Sequence, residues 1–219
     1  MPDQREKKFR ELLSAFRREV QALVMVLNTY RYLHERRADF LAELNVAPAF
    51  FQTVFVTFRT TWVVRSYGLL AGGGREEFTI TKFLKFVREN LDLFSKEAFV
   101  RRRVLPYGGR QAERHKAPTA ESVRRDLRRV NQLKAIKGLR IQRNKFYGHL
   151  DPEYFYDPDL LMKSAPLEWG DLKQIEDVLT DILNRYSEAF DGELFAFEPE
   201  NMLDVQKILD VLRRDRTEQ

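Results

Sequence analysis

Apolar side chains return every three or four residues through most of this sequence, and that spacing restricts it to helices packed on one another. The clearest run is Leu172, Ile175, Leu179, Ile182, Leu183, Tyr186 and Phe190, which ends at Asp191-Gly192. Residues 4–44 carry a similar stripe from Phe9 to Leu27, predicting one long helix, or two with Asn28-Thr29-Tyr30 as the loosening point. A helix starting near Pro48 is apolar on nearly every face and is predicted to be a buried central element. Its most apolar stretch, 46–58, is too short to span a membrane, and no membrane partner is expected. Thr79 is the expected cap of a helix striped by Phe83, Phe86, Val87, Leu91 and Phe94. Thr119 caps a predicted long helix with Val123, Leu127, Val130, Leu133 and Ile136 on its apolar side, and a final helix begins near Glu200. No alternating strand pattern and no internal repeat is present. The expectation is an all-α, up-and-down helical bundle with extra helices, a single domain over 1–219. It divides into N-terminal helices (1–100), a basic loop (101–118), a motif helix (119–150) and C-terminal helices (151–219).

The chain holds no cysteine, so disulfides and thiolate zinc sites are excluded, which fits a reducing compartment. Its three histidines, His34, His115 and His149, are far apart in sequence, so no metal and no cofactor is expected. Charged neighbours predict exposed positions for His34 and His115. Gly72-Gly73-Gly74 is a breaker and not a phosphate loop, since no strand precedes it and no Gly-Lys-Ser/Thr follows. No secretory leader pattern opens the sequence, and a cytoplasmic location is expected.

Charge is segregated. Residues 101–145 hold 15 Lys/Arg against 3 Asp/Glu, a net of +12, whereas 151–219 hold 7 against 18, a net of −11. A positive block of this kind suits an anionic polymer such as RNA. The alternative is that it pairs with the acidic third of its own or a second chain.

The basic segment closes on residues 138–152, Gly-Leu-Arg-Ile-Gln-Arg-Asn-Lys-Phe-Tyr-Gly-His-Leu-Asp-Pro. Here Arg143, Asn144 and His149 stand next to Gly148 and a helix-stopping Asp151-Pro152. Cleavage of an RNA phosphodiester by its own 2′-OH needs a base, an acid and fixed positive charge on the phosphorane oxygens. His149 supplies an imidazole for the base or acid role, Arg143 offers a permanent planar fork, and Asn144 orients the phosphate or the imidazole. Six residues along an ideal helix are about 9 Å of rise and about 240° of turn, which puts Arg143 and His149 on different faces. Either Gly148 lets His149 fold back, or the site joins two helix ends, as an isologous homodimer would allow.

The Arg143-Asn144 pair followed after four residues by His149 resembles the Arg-x(4–6)-His signature of the HEPN superfamily, and the surrounding 139–152 is similar to its abortive-infection AbiU-type branch. The resemblance extends to the early helices with Asn28-Thr-Tyr-Arg-Tyr and Trp62 to Tyr67. It implies a HEPN-like bundle, a homodimer with a composite cleft, and metal-independent RNA cleavage by a toxin or phage-defence effector, with Arg143, Asn144 and His149 at the catalytic positions. It also raises an antitoxin protein as a partner. Members silenced by nucleotidylation often carry a tyrosine two residues after the histidine, where this chain has Asp151, with Tyr147 and Tyr154 nearby.

Arg140, Lys145, Tyr147, Arg124, Arg125 and Arg128 are the candidate RNA contacts, each with a plainer role as solvated face or, for Tyr147, as a ring stacked under Arg143. Tyr154, Tyr156, Trp62 and Trp169 are expected to pack. The competing functional reading is an inactive helical module that binds RNA, a nucleotide or a protein.

Overall fold

The computed structural model describes residues 3–71, 78–102, 113–149, 151–199 and 202–218. It is all-α: 81% of it is helical, with eleven α-helices and no strand among the described residues. The expected glycine breaker at 72–74 and most of the basic loop lie outside them.

Helix α1 (Gln4–Glu35) runs straight through the expected loosening point. Asn28 stays helical, and its side-chain amide donates to the Val24 carbonyl at 2.8 Å, one turn back. After the short α2 (Leu41–Leu44), α3 (Pro48–Ala71) packs along α1. The sequence predicts α3 as a buried central helix, and here the structure differs in part. Trp62, Val63, Ser66, Leu69 and Leu70 are covered, whereas Phe50 and Val56 are 62% and 58% exposed. The first half of α3 runs out past the main core and rests on a second, smaller one.

Thr79 caps α4 (Ile80–Glu89) by accepting from the Lys82 amide, a 3-10 turn covers Leu91–Phe94, and α5 (Lys96–Arg102) follows. Arg101 and Arg102, assigned from sequence to the basic loop, instead end α5. Both pair with Glu6, and Arg102 also donates to the carbonyls of Leu93 and Phe190. Thr119 and Ser122 form a capping box for α6 (Ala120–Asn131). The continuous motif helix expected from Thr119 is broken at 132–134, where Leu133 and Ile136 donate three residues back and Leu133 turns inward. Helix α7 (Ala135–Ile141) then leads into the motif. Helices α8 (Pro152–Tyr156) and α9 (Pro158–Ser164) are short, α10 (Trp169–Asp191) ends at Gly192 with φ 75°, and α11 (Met202–Glu218) completes the chain.

The main core is a cluster of rings. Phe9 of α1 lies 4.5 Å from Phe190 of α10, 5.1 Å from Phe94 and 5.7 Å from Phe83 of α4. The smaller core joins Leu33, Phe40, Leu44 and Phe51 to Leu209 of α11. Arg213 and Arg216 reinforce it by pairing with the buried Glu43.

Asp126 is fully buried between α6 and α10, where Arg185 and the Tyr186 hydroxyl donate to it, the latter at 2.9 Å. Burial, followed by the Asp126 charge, pushes the Tyr186 phenol up, and burial does the same to Tyr147. Both phenols are protonated in folded and unfolded chains at neutral pH. Their contribution to stability is therefore intact there and is expected to fall as pH rises past the usual tyrosine value of about 10, read as alkaline unfolding. Tyr186→Phe, which leaves one oxygen of Asp126 without its donor, is expected to cost about 1–3 kcal/mol in urea denaturation at neutral pH.

Candidate active site

The motif sits where α7 widens into a π-turn, Gln142–Tyr147. Two contacts draw α7 against the 165–167 segment. The buried Gln142 amide donates to the Ala165 carbonyl at 2.7 Å, and Gly138 lies so close that a Cβ there would stand 3.2 Å from the Pro166 carbonyl. At the far end the Gly148 N–H donates to the Arg143 carbonyl, five residues back, at 2.6 Å. A Cβ at Gly148 would sit 2.7 Å from that oxygen. Its φ of −96° is open to any residue, so glycine is needed here for close approach alone. Asp151 then locks the exit: its N–H donates to the carbonyls of Lys145 and His149, and its carboxylate holds Lys145 Nζ at 2.7 Å and caps α8.

The backbone widens over Gln142–Tyr147 and turns at Gly148, between the two ends of the motif. Arg143, Asn144, Lys145, His149 and Asp151 of one chain line a single open pocket of about 450 Å³. Arg143 Nη1 donates to Asn144 Oδ1 at 3.0 Å, and its guanidinium lies 5.5 Å above the Tyr67 ring of α3. His149 is exposed at the rim. The Lys145 ammonium holds the Asp151 carboxyl below the usual carboxylate range, and Asp151 raises Lys145 in turn. Among the described residues that line the pocket, Asp151 is the one carboxylate; it is matched by Lys145, and Arg143 has no carboxylate partner. Among the described residues no three histidine, aspartate or glutamate side chains converge as a metal site would require.

The AbiU2 model of the HEPN proteins matches residues 6–208. The chain belongs to this family. Neither a curated protein nor a solved structure gives a significant match. In this AbiU2-family chain the match runs from the first turns of α1 into α11, so it takes in every helix that supports the pocket.

The other residues singled out from sequence do not all gather at the AbiU2 motif. Lys145 lines the pocket but is tied to Asp151, and Arg140 is exposed outside it. Tyr147 is turned the other way: its hydroxyl bonds Thr60 of α3, its ring meets Phe146 edge-on at 5.1 Å, and it packs against the main core. The ring under Arg143 is Tyr67. Its signal in the sequence was slight, an aromatic on the inner side of a helix that could meet the motif. Arg124 and Arg128 fold onto Glu121 of their own helix, Arg129 reaches Asp181 of the acidic third, and Arg125 is exposed. The basic segment thus pairs in part with the acidic third of its own chain.

His115 departs from its expected surface position, with Nε2 3.0 Å from the Ala189 carbonyl and its ring 4.5 Å from Phe99. His34 is exposed as expected but touches Trp169. Tyr156, expected to pack, is 83% exposed, because the short α8 keeps that side turned outward.

Gly148→Ala is expected to push the turn off the Arg143 carbonyl. The overpacking costs about 1–3 kcal/mol in chemical denaturation, and amide exchange at position 148 should quicken.

Proposed function

We propose that this protein is a metal-independent endoribonuclease that acts as a homodimer, serving as a toxin or phage-defence effector in the cytoplasm. The observation that carries the reading is the convergence of Arg143, Asn144 and His149 on one open, positively charged pocket.

The chemistry follows from those three groups. One neutral imidazole takes the proton from an RNA 2′-OH as that oxygen attacks the adjacent phosphorus. The phosphorus–O5′ bond breaks, and a protonated imidazole returns a proton to the departing oxygen. The products are a 2′,3′-cyclic phosphate and a 5′-hydroxyl. Arg143 stabilises the charge gathering on the equatorial oxygens, and Asn144, already bonded to Arg143, holds that fork in place. A single pocket supplies one imidazole, whereas the reaction uses a base and an acid. A two-fold pairing of motifs supplies the second and supports the dimer. Members of the family with this chemistry need restraint, so an antitoxin protein that covers the pocket completes the proposal.

His149→Ala is expected to slow RNA cleavage by roughly 10²–10⁴-fold and Arg143→Ala by roughly 10²–10³-fold, with circular dichroism unchanged and EDTA without effect. If the purified protein leaves diverse RNAs uncut and its expression does not arrest growth, the reading fails. RNA affinity that drops steeply with salt and survives loss of His149 would then favour the binding module.

A further inference from the structure

The motif turn is held from two sides. On one side, Thr60 of α3 bonds the Tyr147 hydroxyl. On the other, the Ala165 carbonyl accepts from Gln142, and the Ala165 N–H donates to the Leu161 carbonyl at 2.9 Å, which ties the 165–167 segment to α9. The two holds are joined by one side-chain contact. The guanidinium of Arg59, next to Thr60, donates to the thioether of Met162, next to Leu161. Leu161 is buried, whereas Met162 is 42% exposed and the most exposed of the described methionines, Met25 and Met202 being half-buried. A thioether is a poor partner for a permanent cation, because its sulfur accepts only weakly. Among the described residues no carboxylate lies within ion-pair distance of Arg59, although Arg65, six residues further along α3, has one in Glu19.

A partly exposed sulfur that already accepts from a cation is placed to gain from oxidation. In a core, an added oxygen disrupts packing. Here Met162 borders a cavity of about 200 Å³, with Tyr30, His34, Trp62 and Trp169 among its other walls, so the oxygen has room. We propose that Met162 is a site of reversible oxidation by peroxide, and that its sulfoxide tightens the hold on the motif turn. A lone pair of Sδ attacks one peroxide oxygen, and the S–O bond forms as the O–O bond breaks. Sulfur gives up the two electrons that reduce the peroxide. The departing hydroxide takes the proton of the transferred oxygen and leaves as water. The sulfoxide oxygen is a full acceptor, so its bond to Arg59 is charge-assisted where that of the thioether was weak. The flexible methionine side chain lets this oxygen take the place of the sulfur on the guanidinium. The proposal concerns the turn and does not depend on RNA cleavage.

Hydrogen peroxide applied to the folded protein is expected to add one oxygen at Met162 before Met25 or Met202, as read by peptide mass spectrometry. Hydrogen exchange at the Gly148 amide is then expected to slow about fivefold, because opening the turn has to break a stronger tie. Treatment with the two methionine sulfoxide reductases, one for each epimer, should restore the original rate. Arg59→Ala should still oxidise at Met162 but show no slowing. Met162→Leu, close in volume, should fold and exchange at the same rate with and without peroxide. His149→Ala should respond as the unsubstituted chain does, so failure of the nuclease reading leaves this one standing. Oxidation of Met25 or Met202 as fast as that of Met162 overturns the proposal. So does exchange at position 148 that is unchanged or quickened by oxidation, or an equal slowing in Met162→Leu.

Discussion

The hydrogen bond from the Gly148 amide to the Arg143 carbonyl is the constraint on which the motif depends. A backbone that bonds five residues back is wound more widely than an α-helix, and Arg143 and His149, on either side of this turn, line one pocket. The bond is possible because nothing projects from Gly148 toward that carbonyl. The rest of the fold keeps the turn from reverting to a regular helix. Gln142 anchors its start to the 165–167 segment, Asp151 closes its exit, and Tyr147 plugs its inner side into α3.

Charge is distributed to the same end. Asp126 draws Arg185 and Tyr186 of α10 onto α6, and Arg129 reaches across to Asp181, so part of the basic segment is spent on holding the bundle together. Arg125 and Arg140 remain exposed, and the Arg143 charge faces the pocket after Lys145 has matched Asp151. A net charge counted along the sequence could not separate these uses, because salt bridges form between residues far apart in the chain.

Helix identity was legible in the sequence wherever a stripe was long and one-sided. The α10 run from Leu172 to Phe190 and the caps at Thr79 and Thr119 stand as the spacing predicts. The reading failed where local pattern and tertiary demand part. The break at 132–134 lies within an unbroken apolar rhythm, and Leu133 is buried there although the helix is interrupted. Phe50 and Val56 look like core residues by composition, but α3 extends beyond the elements that could cover them.

The site divides along the same line. Which residue types stand near a helix stop, and that Gly148 and Asp151-Pro152 end the helix there, follow from the sequence alone, since local sterics and backbone donors depend on neighbours in the chain. That Arg143, Asn144 and His149 share one pocket, that Tyr67 and not Tyr147 lies under the guanidinium, and that Asp151 is matched by Lys145 were decided by tertiary structure. Those outcomes turn on where α3 and the 165–167 segment press against the motif, and contacts between distant segments leave no period in the sequence to read.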